Sequence, residues 1–250
     1  MDALAALRLQ IEWGADEALL DEPVDRFVMP EPVATARPRA VVPRTAPAFR
    51  AMPAVPAAST GLAEAADLRA LHDAMDRMAC PLRATASHTV GPVGDPASGL
   101  LLIGEAPGPD DDRSGDAFSG PAGAAMDRVL DSAGLSRGAM MLAFMVPWRP
   151  PGGRKPSEGE IALCLPYIQR LLFLARPRRV VLMSGLALRA LAGDGSGVRR
   201  ARGKWTQVAV PGLEPIPALP MLPPDLWLSG PGPRSGTWAD LMALRTALES

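Results

Sequence analysis

Four apolar residues in a row, Leu100, Leu101, Leu102 and Ile103, stand between Gly99 and Gly104, a pattern that predicts a strand buried on both faces. Largely apolar runs at 140–146, 179–183 and 216–219 predict three more strands. Between them apolar positions recur every three to four residues, which predicts helices over 121–132, 157–174, 186–191 and 237–248. A further helix over 61–78 sets Leu62, Leu68, Leu71 and Met75 on one side. Strands that alternate with helices imply a parallel sheet covered on both faces. The expected fold class is therefore α/β, a three-layer α/β/α sandwich with a central, mostly parallel sheet.

Two segments of different character precede this domain. Leu4, Leu7, Ile11, Ala15 and Leu19 recur at helical spacing, so residues 1–29 are read as an N-terminal amphipathic helical segment. It either packs back as a local cap or serves as a tethered element for a protein partner. Residues 30–60 hold seven prolines among alanines and arginines, a composition that favours extended chain over a packed core and predicts a disordered linker. Residues 61–250 then form the α/β domain.

The 250 residues suffice for one sizeable core plus an extension. Two cysteines, Cys80 and Cys164, are too few for a disulfide framework or a four-thiolate metal site, and both are expected as reduced thiols. No stretch approaches the roughly 18 apolar residues that cross a bilayer, and the first ten residues lack a basic start followed by an apolar core. A cytoplasmic monomer without membrane contact is expected. The net charge of −1 conceals an uneven distribution: residues 145–204 carry twelve basic and three acidic side chains, which reads either as a phosphate-facing surface or as a solvated face.

The first strand runs into Gly104-Glu105-Ala106-Pro107-Gly108, followed by Asp110-Asp111-Asp112 and Gly115-Asp116-Ala117-Phe118-Ser119-Gly120. A Gly and Pro-rich turn at the carboxyl end of a buried strand carries one carboxylate into the crevice where open α/β sheets bind ligands. This pattern resembles the first motif of the family-four uracil-DNA glycosylases. Three later segments match that family in order. Arg149-Pro150-Pro151-Gly152-Gly153-Arg154-Lys155-Pro156 resembles its RPPGNRxP loop, with Glu160 and Cys164 on the helix that follows. The run from Arg176 to Gly185 resembles its P-x-x-I-V-x-x-G strand, and Trp238-Ala239-Asp240-Leu241 its closing W-x-D-L helix. The resemblance spans residues 68–248 and implies a uracil-DNA glycosylase-like fold. The implied activity is base excision, hydrolysis of the N-glycosidic bond of uracil or another deaminated base in DNA.

Such an enzyme flips the nucleotide out of the duplex, stacks the base, reads its edge and supports water attack at C1′. The resemblance implies that Phe118 stacks on the base and that Glu105 polarises water or stabilises the sugar cation, with Gly104, Ala106 and Phe144 completing the base site. By residue type alone, Phe118 is also compatible with a core aromatic, and Glu105 with a helix cap or an arginine partner. The Asp110–Asp112 run suits a hard cation, a solvated turn or the start of a helix; no metal is expected. Two of the family's groups are replaced. Its base-reading Asn falls on Phe144, whose ring forms no hydrogen bonds to a base edge, and its H-P-S/A histidine falls on Leu222, while His72 and His88 lie far upstream. The family's four cluster cysteines fall on Arg77, Cys80, Trp148 and Cys164. Two thiolates cannot hold a 4Fe-4S cluster, so no cofactor is expected, with the Trp148 indole against the Arg77 guanidinium in its place.

The basic residues fall in two clusters, Arg149, Arg154 and Lys155 in one loop and Arg199, Arg200, Arg202 and Lys204 before Trp205 in another. Such clusters grip phosphates beside a flipped nucleotide, or simply keep a surface soluble. Pro223, with Pro224 and Leu226, falls where the family inserts an apolar wedge. DNA is the expected partner. Two functions stand side by side: a divergent glycosylase, or a non-catalytic DNA-binding protein on a degenerate glycosylase fold. No G-x-x-x-x-G-K-[ST] pattern exists to support a nucleotide-phosphate cradle.

Overall fold

The computed structural model describes residues 60–227 and 229–249, so the expected N-terminal helical segment and nearly all of the expected linker lie outside the described residues. In chain order the elements are α1 (Thr60–Ala63), α2 (Leu68–Asp76), β1 (Val93–Gly94), β2 (Leu100–Gly104), α3 (Pro109–Ser114), α4 (Gly120–Ser132) and β3 (Met141–Phe144). There follow α5 (Glu158–Ala175), β4 (Arg179–Leu182), α6 (Gly185–Ala192), α7 (Val198–Ala201), β5 (Thr206–Val208), β6 (Ile216–Pro220), α8 (Pro224–Trp227) and α9 (Pro231–Leu248).

The strands form a six-stranded sheet in the order β1-β3-β2-β4-β6-β5. The four central strands are parallel and the short edge strands β1 and β5 pair antiparallel. Alternation along β2 explains the layering. Leu101 and Ile103 join one buried cluster with Leu71, Met75, Ile168 and Leu172, while Leu100 and Leu102 join a second with Met126, Leu130, Leu241 and Leu244. Helices thus cover both faces, as an uninterrupted apolar strand demands.

Chain order also sets where a ligand fits. The path from β2 runs through α4 to β3 on one side, and the path from β3 runs through α5 to β4 on the other side of β2. The loops that leave the carboxyl ends of β2 and β4 therefore diverge, opening the crevice typical of a topological switch point.

Some elements differ from expectation. The helix expected over 61–78 is split, because Asp67 caps α2 by accepting a 2.7 Å hydrogen bond from the Ala70 amide. The C-terminal helix begins at Pro231 rather than 237, with Gly230 before it, since proline at the first helical position lacks only an N–H that has no intrahelical partner anyway. Strands β1 and β5 were not expected, being two and three residues long. No helix among the described residues is long and apolar enough to cross a membrane.

Candidate active site

All four parallel strands end at one cavity of about 650 Å³. Gly104 closes β2, Phe144 closes β3, Met183 and Ser184 follow β4, and Pro223 follows β6; all of them line it, together with Glu105, Ala106, Phe118, Lys155, Pro224 and Leu226. The base-site residues expected from sequence are therefore brought together. Ser184, itself buried, is also the cap of α6, where its hydroxyl accepts from the Ala187 amide at 2.9 Å. Glu105 is half-buried at the mouth of the strand.

Phe118 is held by main-chain geometry. Its φ is +56°, the left-handed region that a β-carbon disfavours by about 1–3 kcal/mol unless the surroundings impose it. Arg137 imposes it: Nη1 donates to the Ala117 carbonyl at 3.1 Å and Nη2 to the Phe118 carbonyl at 2.7 Å. Its Nε donates to Asp127 on α4 at 2.8 Å. Gly123 completes the fit, since a β-carbon there would collide with the Phe118 carbonyl oxygen. Arg137 lies outside every recognised motif, so it could not be singled out from sequence.

The ring of Phe118 stacks on Phe144 with centroids 4.7 Å apart and planes 28° from parallel. Both rings are almost fully buried. Gly104 packs beneath them, and a β-carbon there would stand 2.8 Å from each ring, which only glycine avoids. The floor of the cavity is thus two phenyl rings.

The acidic run is a fastening. Asp111 accepts from the Gly108 amide through Oδ2 at 2.7 Å and from the Ser119 amide and hydroxyl through Oδ1 at 2.7 and 3.1 Å. It closes the loop that begins at the glutamate and ends beside Phe118. Asp112 accepts from the Ser87 and His88 amides through Oδ1 and from the Ser87 hydroxyl through Oδ2. Asp110 alone pairs at the surface, with Arg113 at 2.9 Å. Of the three expected alternatives, the start of a helix is the one observed for all three, in the first turn of α3. Among the described residues no three His, Cys, Asp or Glu converge as a metal site would require.

The basic residues divide in two. Arg199 and Arg200 are exposed on α7, whose first residue, Val198, lines the cavity, and Lys204 is exposed beyond it. Arg202 turns inward onto buried Asp240 of α9, with Nη2 to Oδ2 at 2.7 Å. Burial pushes the Asp240 carboxyl up despite that guanidinium. Arg154 forms a bidentate pair with Glu160 at 2.8 and 2.6 Å, and Glu160 also accepts from the Ser157 amide that it caps. The hydrogen bond from Arg154 and those from Ser157 hold the Glu160 carboxyl down at about 2, against the opposing effect of burial. Arg149 is half-buried, with a buried Nε that has no partner among the described residues.

The family model described as Uracil DNA glycosylase superfamily matches residues 92–240, the stretch that contains this cavity. The chain belongs to that superfamily. Among its relatives, the Type-4 uracil-DNA glycosylase of Pyrobaculum aerophilum is 33% identical over 158 residues, 59% of this chain and 78% of that protein. Those of Archaeoglobus fulgidus and Saccharolobus solfataricus are 31% and 28% identical, over 52% and 68% of this chain and 67% and 81% of theirs.

Membership corrects one expectation. The relatives are Type-4 enzymes, a family that binds a 4Fe-4S cluster, which overturns the expectation of a chain without a cofactor. The local residues nonetheless fit a four-cysteine cluster poorly. Cys80 and Cys164 are buried against each other, and the hydrogen bond from Cys164 holds the Cys80 thiol low while the Cys164 thiol is pushed up by the same contact. At the other two positions stand nitrogen donors rather than metal ligands. The fully buried Trp148 donates its indole N–H to the Thr89 hydroxyl at 2.9 Å, and Arg77 is exposed at the end of α2. The expected indole–guanidinium stack is therefore not formed: an interior hydroxyl satisfies the indole, and the guanidinium stays in water.

Proposed function

We propose that this protein excises uracil or a related deaminated base from DNA by hydrolysing the C1′–N-glycosidic bond. The observation that carries the proposal is the cavity itself, where Glu105, Phe118 and Lys155 meet at the carboxyl ends of the parallel strands beside Val198, the first residue of α7. Exposed Arg199, Arg200 and Lys204 face the backbone phosphates, and the Pro223–Leu226 turn at the rim fills the gap left by the flipped nucleotide. The base enters above the Phe118–Phe144 floor. Glu105 holds negative charge beside C1′, where it orients the attacking water or stabilises the cationic sugar of the transition state. DNA as substrate is our reason for placing the protein in the cytoplasm.

Phe144 shapes the selectivity. A phenyl ring offers no hydrogen bond to a base edge, so rejection of the wrong base falls to shape and size, which discriminate less than a polar contact does. The test is a panel of oligonucleotides that carry uracil, hypoxanthine or xanthine, single- and double-stranded, scored for abasic sites. Excision is expected, with Glu105→Gln slower by about 100- to 1000-fold. The stacked Phe144 also supports a second reading, a DNA-binding protein whose floor is already filled. Tight binding of every oligonucleotide with no abasic product would decide for that reading.

A further inference from the structure

Breaking an N-glycosidic bond sends both bonding electrons to the base, so a pyrimidine leaves as an anion, and positive charge or hydrogen-bond donors where the base sits favour its departure. Three of the four charged residues that line this cavity are carboxylates, Glu105, Asp111 and Asp225. The fourth is Lys155, the one cation among the described lining residues. No histidine lines it.

The placement of this lysine is built in. Arg154 Nη1 donates to the Lys155 carbonyl at 3.0 Å while the same guanidinium grips Glu160, whose carboxylate completes the capping box that Ser157 opens on α5. Pro156, buried immediately after, fixes the chain on the other side. The backbone beneath Lys155 is therefore clamped. Lys155 is exposed, lines the cavity and has no ion-pair partner among the described residues, so its ammonium remains for a ligand. Arg154 is a positioning residue in this scheme, since its own charge is taken by Glu160.

We propose that Lys155 is a catalytic residue that stabilises the departing base, an inference that rests on the glycosylase reading above. The C1′–N bond breaks and its electron pair goes to the base nitrogen. Water oxygen forms the new bond to C1′ and releases a proton towards Glu105 and solvent. The base anion is held by the Lys155 ammonium until it takes up a proton from solvent. Overall one water is consumed and one neutral base is released.

The test compares uracil with 5-fluorouracil in otherwise identical oligonucleotides, under single turnover, for wild type, Lys155→Met and Lys155→Arg. Fluorine stabilises the leaving anion, so a lost stabiliser matters less for it. Lys155→Met is expected to slow uracil excision by about 100- to 1000-fold and 5-fluorouracil excision by clearly less, with Lys155→Arg recovering part of the loss. Because the side chain is exposed, Lys155→Met is expected to melt like wild type, and DNA affinity is measured separately. If Lys155→Met slows both bases equally and lowers the salt dependence of DNA binding by about one unit of slope, Lys155 is a phosphate contact and the proposal falls. If wild type releases neither base, the glycosylase reading falls, and this proposal with it.

Discussion

Asp110, Asp111 and Asp112 are indistinguishable by residue type, yet the structure ranks them when each is changed to asparagine, which keeps the volume and removes one acceptor. Asp111 uses both oxygens on main-chain donors, Oδ2 for Gly108 and Oδ1 for Ser119. An amide can satisfy only one of these and sets its NH₂ against the other N–H. Hydrogen bonds to a charged group contribute about 1.5–3 kcal/mol each, and an unsatisfied buried donor costs a similar amount. Asp111→Asn should therefore destabilise by about 3 kcal/mol, a fall of roughly 6–12 °C in Tm for a domain of this size. Asp112 is equally buried but receives both amides, Ser87 and His88, on Oδ1 alone. Its Oδ2 meets only the Ser87 hydroxyl, which can accept as well as donate. Asp112→Asn keeps every contact and should cost no more than about 1 kcal/mol. Asp110→Asn loses an exposed pair with Arg113 and should cost less still. Calorimetry on the three variants reads the order directly. Asp111→Asn should also slow base excision, because Ser119 adjoins Phe118, whereas the other two should not. A Tm loss in Asp112→Asn equal to or above that of Asp111→Asn would refute this reading of the carboxylate geometry.

The Glu160–Arg154 pair predicts a pH-dependent contribution with a definite sign. The folded-state pKa of Glu160 is depressed from 4.5 to about 2, so the stabilisation is complete above pH about 4.5 and is lost as pH falls towards 2. The Tm gap between wild type and Glu160→Gln should therefore close across that window on acidification; a gap that widens there would contradict it. Replacing Arg199 and Arg200 together with alanine should weaken DNA binding and flatten the log–log salt slope by up to about two units. The same change at Arg202 should instead lower Tm, since that guanidinium is tied to Asp240.

The four parallel strands and their helices were legible because a strand buried on both faces is written as a continuous apolar run. Part of the candidate site's lining was legible because it follows those strands directly, as Glu105 follows Ile103 and Gly104. What sequence left dark were contacts that join distant positions. Nothing near Arg137 says that it reads two carbonyls twenty positions earlier, and nothing near Arg202 separates it from its exposed neighbours until Asp240 is brought opposite. The split of the first helix was hidden for a different reason. Apolar periodicity continues across residues 64–67, and the aspartate that ends it acts through a local hydrogen bond that competes with helix rather than through packing.

The tie between Arg202 and Asp240 has a mechanical meaning. Its guanidinium lies on the backbone of α9 where Gly236 leaves room, since a β-carbon there would collide with it, and Gly203 gives the Asp240 carboxylate similar clearance. The short helix that displays Arg199 and Arg200 is thereby riveted to the last helix of the chain, at a joint made only where two residues have no side chain. A tug on either helix is transmitted to the other. The grip on the nucleic-acid backbone and the integrity of the C-terminal end thus form a single lever, and loosening the far arm would be felt at the near one.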